Sequence, residues 1–321
     1  MSHRPTRSAV TIAVAAAAAL LLSACGSGRT SSDSSNGSGR LGVVAAFYPL
    51  EYLAEQIGGS HVAVTDLTSP GVEPHDLELS PRQVASVQQA GLVLYLKGLQ
   101  PAVDSAVAEA GPRRVVEASA LSPLVDHHLD EDGDQSEDGD QTGSAPRTTG
   151  DPHIWLDPTR YAAVAKGVGA ELAAADPAHA ADYRRATDAL VGRLTALDQE
   201  FRTGLAPYRG REFITSHAAF GYLADRYGIT QVAINGVDPE AEPSPARLAE
   251  IQRQARAHGV TTIFFETLTS PKLAQTLADD LHLKTAVLDP IEGVKDPAAD
   301  DYFSVQRQNL QQLRDALAGA R

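Results

Sequence analysis

Apolar runs alternate with amphipathic stretches along residues 41–321, and they do so in two series. Short apolar runs at 41–47, 61–67, 92–96 and 114–117 predict a first set of strands. A second set is predicted at 212–215, 230–234, 261–265 and 285–288. Helical periodicity fills segments such as 81–90, 245–258 and 271–281, each opened by Pro after Ser, which is favourable chemistry for a helix start. Alternation of strand and helix predicts parallel sheets, so the expected fold is α/β, with one lobe over 41–172 and another over 207–321. Together these segments exceed the length that one core usually covers.

Between the two series lies a single long helical pattern. It starts at Asp176-Pro177 and runs through Tyr183, Leu190, Leu194, Leu197 and Phe201 to about Ala206, with only Gly192 and Gly204 inside. Thirty helical residues would span ~45 Å, so 173–206 is expected to join the lobes as one rigid linker. A break at Gly192 into two shorter helices is the alternative.

The first 40 residues carry an address and a tether. Arg4 and Arg7 precede an unbroken stretch of apolar and small residues from Val10 to Leu22, closed by Leu22-Ser23-Ala24-Cys25. Residues 1–24 therefore read as a secretory signal of the lipoprotein type, with Cys25 as the lipidation site and the chain held to the extracytoplasmic face of a bacterial cell membrane. The alternative is an ordinary signal peptide. Cys25 is the only cysteine, so no intrachain disulfide is possible. Residues 25–40 are nearly all small and polar and read as a flexible tether. Without residues 1–24 the chain has 25 basic and 41 acidic residues, a charge of about −16, which argues against nucleic acid and suits the attraction of cations.

One segment of the first lobe cannot build a core. Asp126 to Asp140 holds eight acidic residues and the pair His127-His128, and Gly, Ser, Thr and Pro follow to Gly150. Residues 126–150 are expected to form a disordered acidic loop, either merely solvated or loosely collecting cations.

Four short segments carry candidate metal chemistry. They are Glu73-Pro74-His75, Asp151-Pro152-His153, Ser216-His217-Ala218 and Leu288-Asp289-Pro290. Three imidazoles and one carboxylate, His75, His153, His217 and Asp289, make a complete tetrahedral set for Zn2+ and leave no open position for an activated water. That favours holding the ion over catalysis with it. Asp289 also has the plainer reading of a turn with Pro290. Glu266 is either an outer partner of the site or paired with Lys272. Trp155 and Tyr222 are expected to pack, and His61, His179, His258 and His282 are read as incidental.

These motifs, in this order, resemble the zinc-binding members of the ABC-transporter substrate-binding lipoproteins for metals, the ZnuA/TroA-like group or cluster 9. The resemblance rests on Cys25 in its lipobox, Tyr48-Pro49-Leu50, Pro70-Gly71-Val72-Glu73-Pro74-His75 and Asp151-Pro152-His153-Ile154-Trp155-Leu156-Asp157-Pro158. It continues through Thr215-Ser216-His217-Ala218-Ala219-Phe220-Gly221-Tyr222, Pro239-Glu240-Ala241-Glu242-Pro243-Ser244 and Leu288-Asp289-Pro290. It implies two related lobes joined by a long helix, a metal in the cleft between them and an acidic loop where 126–150 falls. Carried over, His75 and His153 come from the first lobe and His217 and Asp289 from the second. Manganese members typically have Glu where this chain has His217, which points to Zn2+ as the cargo. Two departures stand out: the loop is poor in histidine, and Asn235-Gly236-Val237-Asp238 precedes Pro239-Glu240-Ala241-Glu242 in place of the usual Gly-Ile-Ser.

The implied function is capture of Zn2+ outside the cytoplasm by a monomer and delivery to an ABC permease and its ATPase. Other readings are a Mn2+ or Fe2+ carrier, a metal-stabilised adhesin, or a zinc hydrolase. Against the hydrolase, the chain has no His-Glu-x-x-His and no Gly-x-Ser-x-Gly, so no enzyme activity is expected.

Overall fold

The computed structural model describes residues 35–36, 39–127 and 150–319. Residues 1–24, Cys25, most of the tether and positions 128–149 of the acidic loop lie outside them. The elements in chain order are β1 (Ser35–Asn36), β2 (Arg40–Ala45), α1 (Tyr48–Gly58), β3 (Val62–Asp66), α2 (Pro81–Gln89), β4 (Leu92–Tyr95), α3 (Pro101–Ala110), β5 (Val115–Glu117) and α4 (Ala118–Leu121). After the acidic loop come α5 (Pro158–Ala175), α6 (Ala180–Leu205), β6 (Glu212–Thr215), α7 (Gly221–Tyr227), β7 (Thr230–Ala233) and α8 (Pro245–Ala257). The chain closes with β8 (Thr262–Phe265), α9 (Lys272–Leu281), β9 (Lys284–Val287) and α10 (Tyr302–Gly319).

All eight expected strands are present, with ends within two residues of the expected ones. The first sheet runs β3-β2-β4-β5, all parallel, with β1 folded back antiparallel on the start of β2. The second runs β7-β6-β8-β9, also parallel. Both sheets thus share one strand order: second, first, third, fourth. Parallel strands covered on both faces need continuous apolar runs, and Leu92, Val93 and Leu94 of β4 are all buried accordingly. Ser80 caps α2 and Gln83 returns the bond, a complete capping box that explains why Ser-Pro marks this start. Ser244 caps α8 in the same way as an acceptor, whereas Pro271 itself occupies the cap position of α9.

The link between the sheets is one unbroken helix. The α6 helix has 26 residues, ~39 Å at the usual rise, and follows a 3-10 turn at Pro177–His179. Tyr183, Thr187, Leu190, Leu194, Leu197, Phe201 and Leu205 form its buried stripe at spacings of three and four. Gly192 lies outside that stripe, exposed, and does not interrupt the helix. The stripe packs on α5, α1 and α10. Gly169 permits the approach of α5, since a Cβ there would sit 2.0 Å from Thr187 Oγ1.

A single apolar cluster runs through both halves, from Val43, Leu53 and Trp155 through Leu194 and Phe201 to Phe213, Phe220, Leu288 and Tyr302. A second, smaller cluster around Ile214, Ile251, Ile263 and Leu277 belongs to the second sheet alone. Among the described residues no helix is long and apolar enough to cross a membrane.

Candidate metal centre

Ligands of open parallel sheets gather beyond the carboxyl ends of the strands. His75 lies in the loop after β3, His217 two residues past β6, Glu266 directly after β8, and residues 288–301 follow β9. His153 enters from the far side of the acidic loop, at the cap of a 3-10 turn, Ile154–Leu156, that leads into α5.

The rings of His153 and His217 are each fixed by a carboxylate on their far nitrogen, and His75 is held through its backbone. Asp151 Oδ1 accepts both the backbone N–H of His153, at 2.9 Å, and its Nδ1, at 2.7 Å, so Nε2 points inward. His217 Nδ1 donates to Glu266 Oε1 at 2.9 Å, and its carbonyl is held by Thr215 Oγ1 and Gln231 Nε2. The backbone N–H of His75 donates to Glu73 Oε1 at 3.0 Å. Carboxylates behind imidazoles set the tautomer and raise the basicity of the free nitrogen.

The carboxylate that clusters with the three histidines is that of Glu292; Asp289, expected as the fourth ligand, is not part of this cluster. Glu292 Oε1 lies 2.9 Å from His153 Nε2, 3.3 Å from His75 Nε2 and 3.6 Å from His217 Nε2. One donor atom from each of His75, His153, His217 and Glu292 lies within 4.8 Å of the others. Zinc bonds of ~2.0–2.1 Å in a tetrahedron put neighbouring donors ~3.3 Å apart, and the three separations from Glu292 Oε1 scatter about that value. His153, His217 and Glu292 are buried, and His217 Nε2 has no hydrogen-bond partner.

Asp289 has a different task. Its Oδ2 accepts from Thr267 Oγ1 at 2.9 Å and its Oδ1 from the backbone N–H of Ile291 at 2.7 Å. Asn309 clamps the same residue through both its N–H and its carbonyl. Ile291 then adopts φ of +57°, rare for a β-branched residue, and this reversal swings Glu292 into the histidines. The signal available in the sequence was Glu292 itself, a lone charge between apolar Ile291 and Val294.

Trp155 and Tyr222 pack in the core as expected, and each also makes specific hydrogen bonds. Trp155 donates Nε1–H to the Pro290 carbonyl at 2.7 Å. Tyr222 donates to the Asp151 carbonyl at 2.7 Å and accepts the N–H of Val125 at 2.8 Å. His127, the first histidine of the acidic loop, contacts Asp151 Oδ2 at 2.8 Å and Asp225 at 3.1 Å, so a hydrogen-bonded line runs from the surface to His153. Gly221 makes this line possible, because a Cβ there would come within 2.6 Å of the His127 ring. Glu266 bonds Ser216 and His217, the outer-partner role. His61 and His179 stack on one another at 3.9 Å, each tied to its own aspartate.

Charge and burial compete across the cluster. Burial favours neutral His217, but the Glu266 and Glu292 carboxylates outweigh it and raise its pKa well above the ordinary imidazole value. Burial and the Asp151 and Glu292 carboxylates oppose each other in the same way at His153, which is also raised. For Glu292 burial pushes upward, and the surrounding imidazoles overcome it to hold the carboxylate well below its usual range. Burial, with Glu292 beside it, pushes Glu73 up to about 8.

A two-lobed α/β protein with a buried, closed set of three imidazoles and one carboxylate defines a solute-binding receptor whose solute is a metal ion. Comparison with known proteins agrees. The chain belongs to the family described as zinc-uptake complex component A, periplasmic, whose model matches residues 43–316. High-affinity zinc uptake system protein ZnuA of Bacillus subtilis is 36% identical over 308 residues, spanning 95% of this chain and 96% of that protein. Zinc-binding lipoprotein AdcA of Streptococcus pneumoniae is 32% identical over 311 residues, but the match covers only 60% of its length. The zinc-bound ZnuA-like domain of that AdcA superposes with a TM-score of 0.72 at 30% identity, covering 87% of this chain and 99% of the domain. The laminin-binding protein of Streptococcus agalactiae, described as both adhesin and metal transporter, gives 0.72 at 30% identity over 86% of this chain and 99% of its own.

Proposed function

We propose that the chain captures Zn2+ on the extracytoplasmic side of the cell membrane and hands it to an ABC permease. His75, His153, His217 and Glu292 hold the ion. The observation that carries this reading is the single oxygen of Glu292 set 2.9–3.6 Å from three imidazole nitrogens. Four protein donors close the shell and leave no coordinated water to activate, so the site stores the ion and catalyses nothing with it. Three nitrogen donors select zinc over manganese, which prefers oxygen.

Cys25 anchors the chain through a lipid, and residues 25–40 let the receptor reach its permease as a monomer. The family's description, a component of a zinc-uptake complex, supports the permease as partner. The decisive experiment is metal content with competitive titration against a chelator. One tight Zn2+ per chain is expected, and substitution of any of the three histidines by Ala should abolish it. Retention of tight binding by all three variants would exclude the site.

A further inference from the structure

Three glutamates at the centre each leave one oxygen out of every hydrogen bond. Glu73 Oε1 accepts from the His75 backbone, Glu266 Oε1 from His217 and Ser216, and Glu292 Oε1 faces the histidines. Oε2 of all three is buried and accepts nothing. Glu266 and Glu292 are only 3% and 0% exposed. One carboxylate oxygen from each of the three lies within 4.8 Å of those of the other two. Buried acceptors without donors are costly, and three carboxyl groups brought together cannot all ionise without repelling one another. A cation relieves both at once.

We propose that Glu73, Glu266 and Glu292 form a second cation position, joined to the histidine position through Glu292, for a hard divalent ion that keeps part of its water shell. The sharing of Glu292 makes this rest on the reading that the histidines hold zinc. All three donors are carboxylate oxygens, the chemistry of Mg2+, Ca2+ and Mn2+. Glu73 is the one member of the three that is not fully buried. A carboxylate bridging two metals ~3.5–4 Å apart is an established arrangement, and Glu292 has one oxygen for each. Repulsion between the two ions makes this position weaker than the histidine one.

The probe is Mn2+, followed by electron paramagnetic resonance as it is added to the full chain already carrying one Zn2+. Glu73→Gln removes the charge while its amide oxygen still accepts the His75 N–H. Wild type should take up one Mn2+ without releasing zinc, and Glu73→Gln, with the zinc content of each chain measured in the same sample and compared at equal zinc load, should bind Mn2+ about tenfold or more weakly. Equal uptake by both chains would overturn the proposal and assign the ion to the acidic loop. Displacement of zinc by Mn2+, one for one, would overturn it as well, as would absence of bound Mn2+. A chain that bound Mn2+ through Glu73 but held no zinc would overturn the proposed function and leave this position standing.

Discussion

Trp155 donates its indole N–H to the carbonyl of Pro290 at 2.7 Å, and this one bond fastens the segment that carries His153 to the loop that carries Glu292. Two donors from opposite halves are thereby held in register. Trp155→Phe keeps most of the ring but leaves a buried carbonyl unpaired, at a cost of about 1–3 kcal/mol. The expected result is a lower melting temperature together with weaker zinc binding, read by calorimetry and chelator competition. Unaltered affinity would show that the Glu292 loop holds its place unaided.

Glu292 and Asp289 should differ sharply when substituted. Glu292→Ala removes a donor and should weaken zinc binding ~100-fold or more. Asp289→Asn keeps one acceptor oxygen for the Ile291 N–H, turns its amide NH2 toward Thr267 Oγ1, and should cost about tenfold or less. The reverse ranking in a chelator competition would return the fourth position to Asp289.

Zinc binding should be strongly pH-dependent, and from a higher pH than free imidazole suggests. His153 and His217 are both raised above the ordinary value, so the metal-free protein holds protons that zinc must expel. A group raised by folding stabilises the fold below its unfolded pKa, and that stabilisation is lost as pH climbs through its folded pKa. Metal-free protein therefore loses this contribution on going alkaline while zinc affinity rises. Affinity should change by about one to two decades per pH unit between pH 8 and 6, and the melting-temperature gap between loaded and metal-free protein should widen with pH. Flat affinity over that range would contradict neutral imidazole ligands.

The acidic loop should be dispensable beyond its first two residues. The N–H of Asp151 donates to the Val125 carbonyl at 2.8 Å, so the two ends of the loop already meet. Deleting 128–149 should leave tight zinc binding and melting temperature nearly unchanged. His127→Ala strips a partner from Asp151 and should weaken zinc about tenfold. Loss of the tight ion on deletion would mean that the removed residues supply a donor.

Strands were legible because parallel strands covered on both faces must be continuous apolar runs, as at Leu92–Tyr95 and Thr262–Phe265. The long helix was legible from its stripe, and Gly192 left it intact because that position meets neither core nor neighbour. His75, His153 and His217 stood out as imidazoles beside Pro or at a strand end, and the fold brings them together. Asp289 stands at a strand end as a ligand would, but the positive φ at Ile291 brings the carboxylate three residues onward, that of Glu292, among the histidines. A positive φ at an isoleucine leaves no mark in composition or periodicity. His127 was hidden likewise: nothing in an acidic tract says which histidine will rest on Asp151.

The core that runs unbroken from Val43 to Leu317 has a consequence for anyone wishing to borrow from this molecule. Each half brings two of the four donors, and the larger of the two apolar interiors is shared between them. A miniaturised zinc sensor cannot be cut from either end of the chain. It would have to be rebuilt around α6, keeping all four loops and the helix against which both halves are cast.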